Sequence, residues 1–343
     1  MADVADPKAT HVATPALRSQ SEVIAFVIMT VALVVAPAFA YPVFLMKALC
    51  FALFACAFNL LIGYVGLLSF GHALFFGWGA YFAAHLAKVG AVSLPFWLGK
   101  WHWLVIPLPP LPPELAILGG ALFAALLGLI VGALAIRRQG IYFAMVTLAL
   151  AQMMFFFAVQ APFTHGEDGI QAVPRGKLLG FIDLADQTNM YFTVLVIFLG
   201  CFLLIYRIIN SPFGEVLKAI RENEPRAISL GYKTERYKLV AFVLSATFAG
   251  VAGATKALVF QLASLTDVDW PMSGEVILMT LVGGLGTLFG PVAGAFFVVT
   301  LENYLTTIGQ WVFVVQGAIF VGCVLLLRRG IIGELARVLR IKL

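Results

Sequence analysis

SPFGEVLKAIRENEPRAISLG, residues 211–231, is a charged amphipathic stretch set between long hydrophobic runs. Phe213, Val216, Leu217 and Ile220 recur at i, i+3, i+4 and i+7, one apolar stripe on a helix. Glu215, Lys218, Arg221 and Glu222 occupy the rest of its circumference. Ser211 can cap the start, and Pro212 suits the first helical position, where a missing N–H costs nothing. Asn223 with Pro225 restarts a second short helix, and Gly231 suits its end. A charge run of this kind is most often a solvated loop helix. Its flanks decide what it is here.

Those flanks are too apolar for a soluble globule. The chain has 343 residues, of which 62% are hydrophobic and 11% charged, whereas soluble domains carry about 25% charged residues. The excess apolar surface faces lipid, and hydrophobic runs of about 17–23 residues match the length a bilayer core asks of a helix. The net charge of +5 comes from basic residues gathered between these runs, so it reports orientation and not nucleic-acid binding. Cys50, Cys56, Cys201 and Cys323 lie inside hydrophobic segments at no metal-ligand spacing and read as small packing residues. Lys8 and Arg18 precede an apolar run ending in Ala38-Phe39-Ala40, which imitates a leader cleavage site. A further span follows almost at once, which favours a retained first helix.

Spans are expected at 23–40, 43–62, 68–87, 114–136, 141–163, 190–209, 238–260, 273–288, 290–308 and 310–328. Arg137 and Arg138 fill one short connection; Arg207, Lys218, Arg221, Arg226, Lys233, Arg236 and Lys238 crowd a second; Arg328, Arg329, Arg337, Arg340 and Lys342 follow the last span. The positive-inside rule places all three on the cytoplasmic side. From 238 to 328 the chain must then cross an even number of times, so 273–328 holds three short spans and not two comfortable ones. The outer connections agree: 88–113 is rich in Pro and Trp (Trp97, Trp101, Trp103, Pro107, Pro109, Pro110), and 164–189 carries Glu167, Asp168, Asp183 and Asp186. The expected fold is all-α: a polytopic membrane protein of about ten helices, some broken at Gly-rich segments, with a cytoplasmic coupling-helix loop at 211–231. The expected organisation is a cytoplasmic polar tail over 1–22, a transmembrane domain over 23–328 and a basic cytoplasmic tail over 329–343.

Two glycine-rich breaks interrupt the spans. Residues 59–81 read NLLIGYVGLLSFGHALFFGWGAY, with Gly63, Gly66, Gly71, Gly77 and Gly79. Each Gly costs a helix interior about 1 kcal/mol relative to Ala. Two explanations compete: close helix packing through small residues, or a discontinuous helix whose freed backbone lines a pathway. Residues 281–295, LVGGLGTLFGPVAGA, form the second break. Gly283-x-x-Gly286-Thr-Leu echoes Gly63-x-x-Gly66-Leu-Leu, and Phe-Gly follows each after a one-residue offset. Paired interruptions of this kind point to a site between two halves. Candidate path residues are Asn59, Gly66, Ser69, Gly71 and His72 in the first break, and Gly283, Gly284, Gly286 and the nearby Glu302 in the second half. Among ionisable groups in the spans, Lys47, His85 and Lys256 fall near outer ends where side chains snorkel, and Glu302 is the deepest.

No catalytic motif is present. Gly99-Lys100 and Gly176-Lys177 lack the rest of a P-loop, and no H-E-x-x-H, nucleophile elbow or paired His/Cys set occurs. No metal site and no cofactor is expected. A transport protein of this composition must run on an ion gradient or on an attached ATPase, and the segment at 211–231 offers a docking element for the second.

The chain resembles the LivM-type permeases of branched-chain amino acid ABC importers. The resemblance rests on the run at 59–81, on Ser211-Pro212 through Ala219-Ile220-Arg221-Glu222-Asn223-Glu224 to Gly231 and onward to Gly250, and on Gly283-Gly284-x-Gly286 with Gly290-Pro291. It implies a ten-helix permease in the bacterial inner membrane, both termini cytoplasmic, that pairs with a second related permease, two cytoplasmic ATPase subunits and a periplasmic substrate-binding protein. It also implies that Ser211, Phe213, Glu215, Val216, Leu217, Ala219, Ile220, Arg221, Glu222, Asn223, Glu224 and Gly231 form the coupling helices seated on the ATPase. Pro225 and Arg226 stand where the family shows small residues. The family's solutes include branched-chain amino acids, urea, other amino acids and aromatic acids. A gradient-driven carrier using Glu302, and a scaffold whose glycines serve only packing, are the alternatives.

Overall fold

A computed structural model describes residues 15–88, 91–93, 105–107, 111–305, 312–326 and 330–338. Residues 1–14 of the polar tail, Trp97, Trp101, Trp103, Pro109 and Pro110 of the outer loop, and Arg328, Arg329, Arg340 and Lys342 lie outside the described residues. The described residues are mainly helical: α1 (Pro15–Val35), α2 (Pro42–Ile62), α3 (His72–Lys88), α4 (Pro113–Ala135), α5 (Ile141–Gln160), α6 (Gln187–Ile209), α7 (Pro212–Glu222), α8 (Glu224–Ser229), α9 (Thr234–Phe260), α10 (Trp270–Gly283), α11 (Gly290–Leu305), α12 (Val312–Leu326) and α13 (Gly330–Val338). Of these, α2, α4, α5, α6 and α9 are long and apolar enough to cross a bilayer by length and composition. Several starts follow from local chemistry: Pro opens α2 and α4, and the Asp186 and Asp269 carboxylates accept backbone N–H bonds at the starts of α6 and α10.

The core is built on α2 and α9. Helix α2 is buried almost throughout and packs against α6, α9, α10 and α11, while α9 packs against α2, α3 and α4. Small residues make the α3–α4–α9 seam possible. A Cβ on Gly79 would lie 2.7 Å from Gly250 Cα, one on Gly120 would lie 2.6 Å from the Gly79 carbonyl, and one on Gly253 would run into Phe76 backbone. The periphery is apolar as well: Val31, Leu122, Leu126, Phe156, Val196 and Leu204 all face outward. In water this would be costly, and against lipid it is neutral.

The bundle has two distinct ends. Gly132 of α4 meets Leu239 and Phe242 at the start of α9, so Arg137 and Arg138 share an end with α7 and α8. At the opposite end, Ile170–Gln171 pairs antiparallel with Leu262–Ala263, and Lys88 donates to the Gln171 carbonyl at 2.6 Å. The region expected to hold three short spans does contain three short helices, of 14, 16 and 15 residues. The first helix starts at Pro15 and not at 23, inside the stretch read as polar tail, and two boundaries move at the breaks. The third span starts at His72 and not at 68, and the eighth ends at Gly283 and not at 288, because the glycine breaks are not helical. Helix α13 is an addition to the sequence reading; Ile331, Leu335 and Val338 give it an i, i+4, i+7 pattern that lies within the stretch read as basic tail.

Candidate functional site

At the basic end, α7 and α8 form as the residues dictate. Ser211 Oγ accepts the Gly214 N–H at 3.3 Å, and Asn223 Oδ1 accepts the Arg226 N–H at 3.1 Å, so each helix has its side-chain cap. Gly231 follows with φ +89°, a left-handed turn suited to glycine. The apolar stripe of α7 turns into the bundle: Leu217 and Ile220 are buried, Phe213 and Val216 half-buried, and Phe213 stacks on Tyr237 of α9 at 5.7 Å. Lys238 of α9 pairs with Glu224 of α8 at 2.5 Å. Outward lie Glu215, Ala219, Arg221, Glu222, Asn223, Pro225 and Arg226, among others. Ile228 and Leu230, 54% and 70% exposed, add an apolar edge to this polar face. The sequence reading passed over both, although an Ile and a Leu in a segment otherwise polar are a readable signal.

The two breaks meet beneath α7. Gly66 has φ +80° and Gly286 has φ +75°, so the residues aligned by the sequence echo adopt the same left-handed turn. Asn59, at the last turn of α2, joins them: its amide donates to the Thr287 carbonyl at 2.9 Å, and its Oδ1 accepts the Gly286 N–H at 3.0 Å. Arg221 reaches in from α7 and donates to the Gly63 carbonyl. Asn59, Gly66 and Gly286 are thus brought together, with Gly283 and Gly284 a turn away and under Gly330. Beside them opens a half-open cavity of about 530 Å³ lined by Glu22, Tyr206, Glu215, Lys218, Arg221 and Glu222, among others. The glycines of 59–81 divide between a non-helical break and close packing. Gly63, Gly66 and Gly71 belong to a non-helical break; Gly77 and Gly79 lie inside α3 and admit close neighbours.

Deeper in the bundle, Ser69, Gly71 and His72 stand apart from that junction and are fully covered. His72 Nε2 lies 2.7 Å from Ser245 Oγ, and the Ser245 hydroxyl donates to the Ala57 carbonyl. That leaves the Ser245 oxygen to accept from His72, which fixes the Nε2–H tautomer. Phe58, Phe75 and Phe242 enclose the ring edge-on. His72 therefore sits in a buried polar contact through Nε2 within an aromatic cage, with its Nδ1 unpartnered.

Glu302 belongs to the other end of α11. Its carboxylate pairs with Lys47 of α2 at 3.2 Å and adjoins Glu275 of α10. Lys256 of α9 pairs with Asp267 and lies against the rings of Phe51 and Phe76. Neither lysine simply snorkels outward. The Lys256 side chain is only 14% exposed, because the loop carrying Asp267 folds back over it. Glu275 and Asp267 were not among the sequence candidates; their partners come from elements distant in the chain. Among the described residues no group of three or more His, Cys, Asp or Glu is placed to hold a metal ion.

The geometry can now be set beside known proteins. The family described as branched-chain amino acid transport system / permease component matches residues 42–326. The high-affinity branched-chain amino acid transport system permease protein LivM of Escherichia coli (strain K12) is 26% identical over 286 residues, which are 77% of this chain and 63% of that protein. The chain therefore spans less than two thirds of that relative's length. A probable branched-chain amino acid transport permease protein LivM of Methanocaldococcus jannaschii is 26% identical over 193 residues, 54% of each chain. The ribose import permease protein RbsC of Bacillus subtilis (strain 168) is 29% identical over 202 residues, 52% of this chain and 58% of that one. No solved structure matches the chain.

Proposed function

The chain belongs to the family of branched-chain amino acid transport system permease components, and from that premise we propose that it is the membrane-spanning subunit of an ATP-driven importer. In this reading residues 23–328 are the permease domain in the bacterial inner membrane, the basic end is cytoplasmic and both termini lie on that side. A second related permease, two cytoplasmic ATPases and a periplasmic binding protein complete the machine. The observation that carries the proposal is the α7–α8 pair: two capped helices whose apolar stripe is committed to the bundle and whose other face is left open. An element built only as a loop needs no such rigid, two-sided construction. Its outward residues, Ala219, Glu222, Arg226, Ile228 and Leu230, form the surface for the ATPase, an apolar edge beside charges of both signs.

Energy must come from that partner, since the sequence carries no P-loop of its own. A gradient-driven carrier would need Glu302 free to take the coupling ion; here Lys47 engages it. The solute class proposed is branched-chain amino acids or a related small solute delivered by the binding protein. Relatives named for amino acids and for ribose both match this chain in sequence, which supports selection by the delivering protein and not by the spans. The test is co-purification and uptake. Ala219→Pro, which breaks α7, and Glu222→Arg should leave insertion intact, weaken recovery of the ATPases and lower ATP-driven uptake in proteoliposomes at least tenfold. Full uptake by Ala219→Pro, or uptake that persists without ATP and collapses with an ionophore, would sink the reading.

A further inference from the structure

We propose that Arg221 is a strut through which α7 positions both glycine breaks at once, so that a displacement of the docking surface is delivered to α2, α3 and the α10–α11 turn by one side chain. The proposal rests on the reading of α7 as an ATPase-docking helix. Sequence resemblance assigns Arg221 to the partner's side; the structure leaves the residue exposed and sends Nη1 inward to the Gly63 carbonyl.

Three contacts converge on it. Its Nη1 donates to the carbonyl of Gly63, the residue that ends α2, where helix carbonyls have no partner of their own. The positive charge also sits at the C-terminal, negative end of the α2 dipole. Its stem fills the space a side chain at Gly66 would need: a Cβ there would lie 3.1 Å from Arg221 Cγ. Its guanidinium does the same at Gly286, where a Cβ would lie 3.0 Å from Nη1 and 3.3 Å from the Gly63 oxygen. Both glycines are held at positive φ, so each is a point where the chain reverses direction around the same cation. Asn59 then locks the second break to α2. A planar guanidinium can touch both walls of such a junction; an ammonium on a flexible stem presents one point.

The roles of the residues around it separate accordingly. Leu217 and Ile220 hold α7 to the bundle, while Ala219 and Glu222 face away from it. Arg221 spans from that helix to both breaks. A shift of α7 must therefore either carry the two glycine turns with it or break the bond to Gly63.

The test uses the assembled transporter with its ATPases in lipid nanodiscs. The four native cysteines are replaced, and spin labels are placed at Leu68→Cys and Leu285→Cys, one exposed leucine in each break. ATP with vanadate should change the label-to-label distance in the otherwise unaltered chain. Arg221→Met should keep the ATPases bound and abolish that change; Arg221→Lys should restore part of it, which a merely structural role would not require. Gly286→Ala, which presses on Nη1, should have the same effect from the opposite side and serves if Arg221→Met fails to insert. A nucleotide-dependent change that persists in the variants that assemble overturns the proposal. So does its absence in the unaltered chain with ATPases bound. Loss of the ATPases from Arg221→Met or Arg221→Lys overturns it too, since Arg221 would then be a docking residue. If the unaltered chain recovers no ATPase at all, the functional reading has failed, and that result is distinguishable from each of the others.

Discussion

Between Gly63 and His72 the backbone bonds locally, Leu67 N–H to the Leu61 carbonyl and Gly71 N–H to Ser69 Oγ, and also to other helices: Phe70 N–H to Thr147 of α5 at 3.3 Å and, just beyond it, Ala73 N–H to Ser273 of α10 at 2.9 Å. Between Gly284 and Gly290 one hydroxyl closes the turn, while Asn59 of α2 holds the Gly286 N–H and the Thr287 carbonyl. Thr287 Oγ1 donates to the Gly284 carbonyl at 2.8 Å and accepts the Gly290 N–H at 3.1 Å, closing the turn from α10 to α11 on itself. The sequence echo explains the difference. Where the second break has Thr287, the first has Leu67, and its hydroxyl comes two residues later at Ser69, which accepts the Gly71 N–H. The first break also carries one residue more, Ser69, and runs up into the bundle before α3 begins. Two segments with the same glycine spelling are thus held differently, the first through α5 and α10 and the second by a Thr-closed turn tied to Asn59 of α2, and freed backbone within a membrane protein is tolerated where protein covers it or a cavity adjoins it.

The largest expected effect tests that contrast directly. A Cβ at Gly71 would lie 2.5 Å from the Thr147 carbonyl, and one at Gly283 would lie 1.9 Å from the Gly290 carbonyl. Neither neighbour is a side chain that can rotate away, so Gly71→Ala and Gly283→Ala should each cost about 3 kcal/mol or more, at the upper end of overpacking penalties. Their reach should differ. Hydrogen exchange followed by mass spectrometry should rise across α3 and α5 for Gly71→Ala, and stay within 284–305 and α13 for Gly283→Ala, whose neighbours are local. Identical exchange patterns would erase the distinction.

A smaller pair of changes sharpens it. Ser273→Ala and Thr287→Val each remove a hydroxyl that serves a break, and a lost buried hydrogen bond costs about 1–3 kcal/mol when its partner stays unsatisfied. Ser273→Ala should loosen the start of α3, two hundred residues away in sequence. Thr287→Val should loosen only the α10–α11 turn. Thermal unfolding in detergent measures the cost, and protection of Ala73 and Gly290 amides locates it.

What sequence could and could not yield follows the same line. The caps of Ser211 and Asn223, the stripe of α7, the positions of both breaks and the three short helices after 270 were readable, because each depends on neighbours within a turn or on counting charges. Partners set by folding were not. Nothing near Arg221 announces that its guanidinium goes to Gly63, and nothing near Thr147 or Ser273 announces a duty to residues 70–73. The glycines of 59–81 could not be divided between break and seam, since a helix interior and a turn spell the same letter. Glu275 went unread for the same reason: its meaning depends on Glu302 and Lys47, on two other helices.

The smallest effect belongs to that last group. Helix α2 holds α11 at two heights: Asn59 ties the break at the basic end, and Lys47, 12 residues earlier and so ~18 Å away along the helix, ties Glu302 toward the other. If the turn at Thr287 is a hinge, the Lys47–Glu302 pair is the far end of the arm. It is a weak tie in itself, because the Lys47 side chain is 34% exposed and such pairs contribute about 1 kcal/mol or less. Removing one partner is another matter. Lys47→Met leaves the carboxylates of Glu275 and Glu302 side by side without their nearest cation, and an uncompensated charge costs more than the pair was worth. Lys47→Met should therefore lower the melting temperature more than the double variant Lys47→Met with Glu302→Gln, in which the second substitution removes the stranded charge. A double variant as unstable as the sum of the two single ones would mean that α2 and α11 are not coupled there, and that Asn59 alone holds the second break to the core.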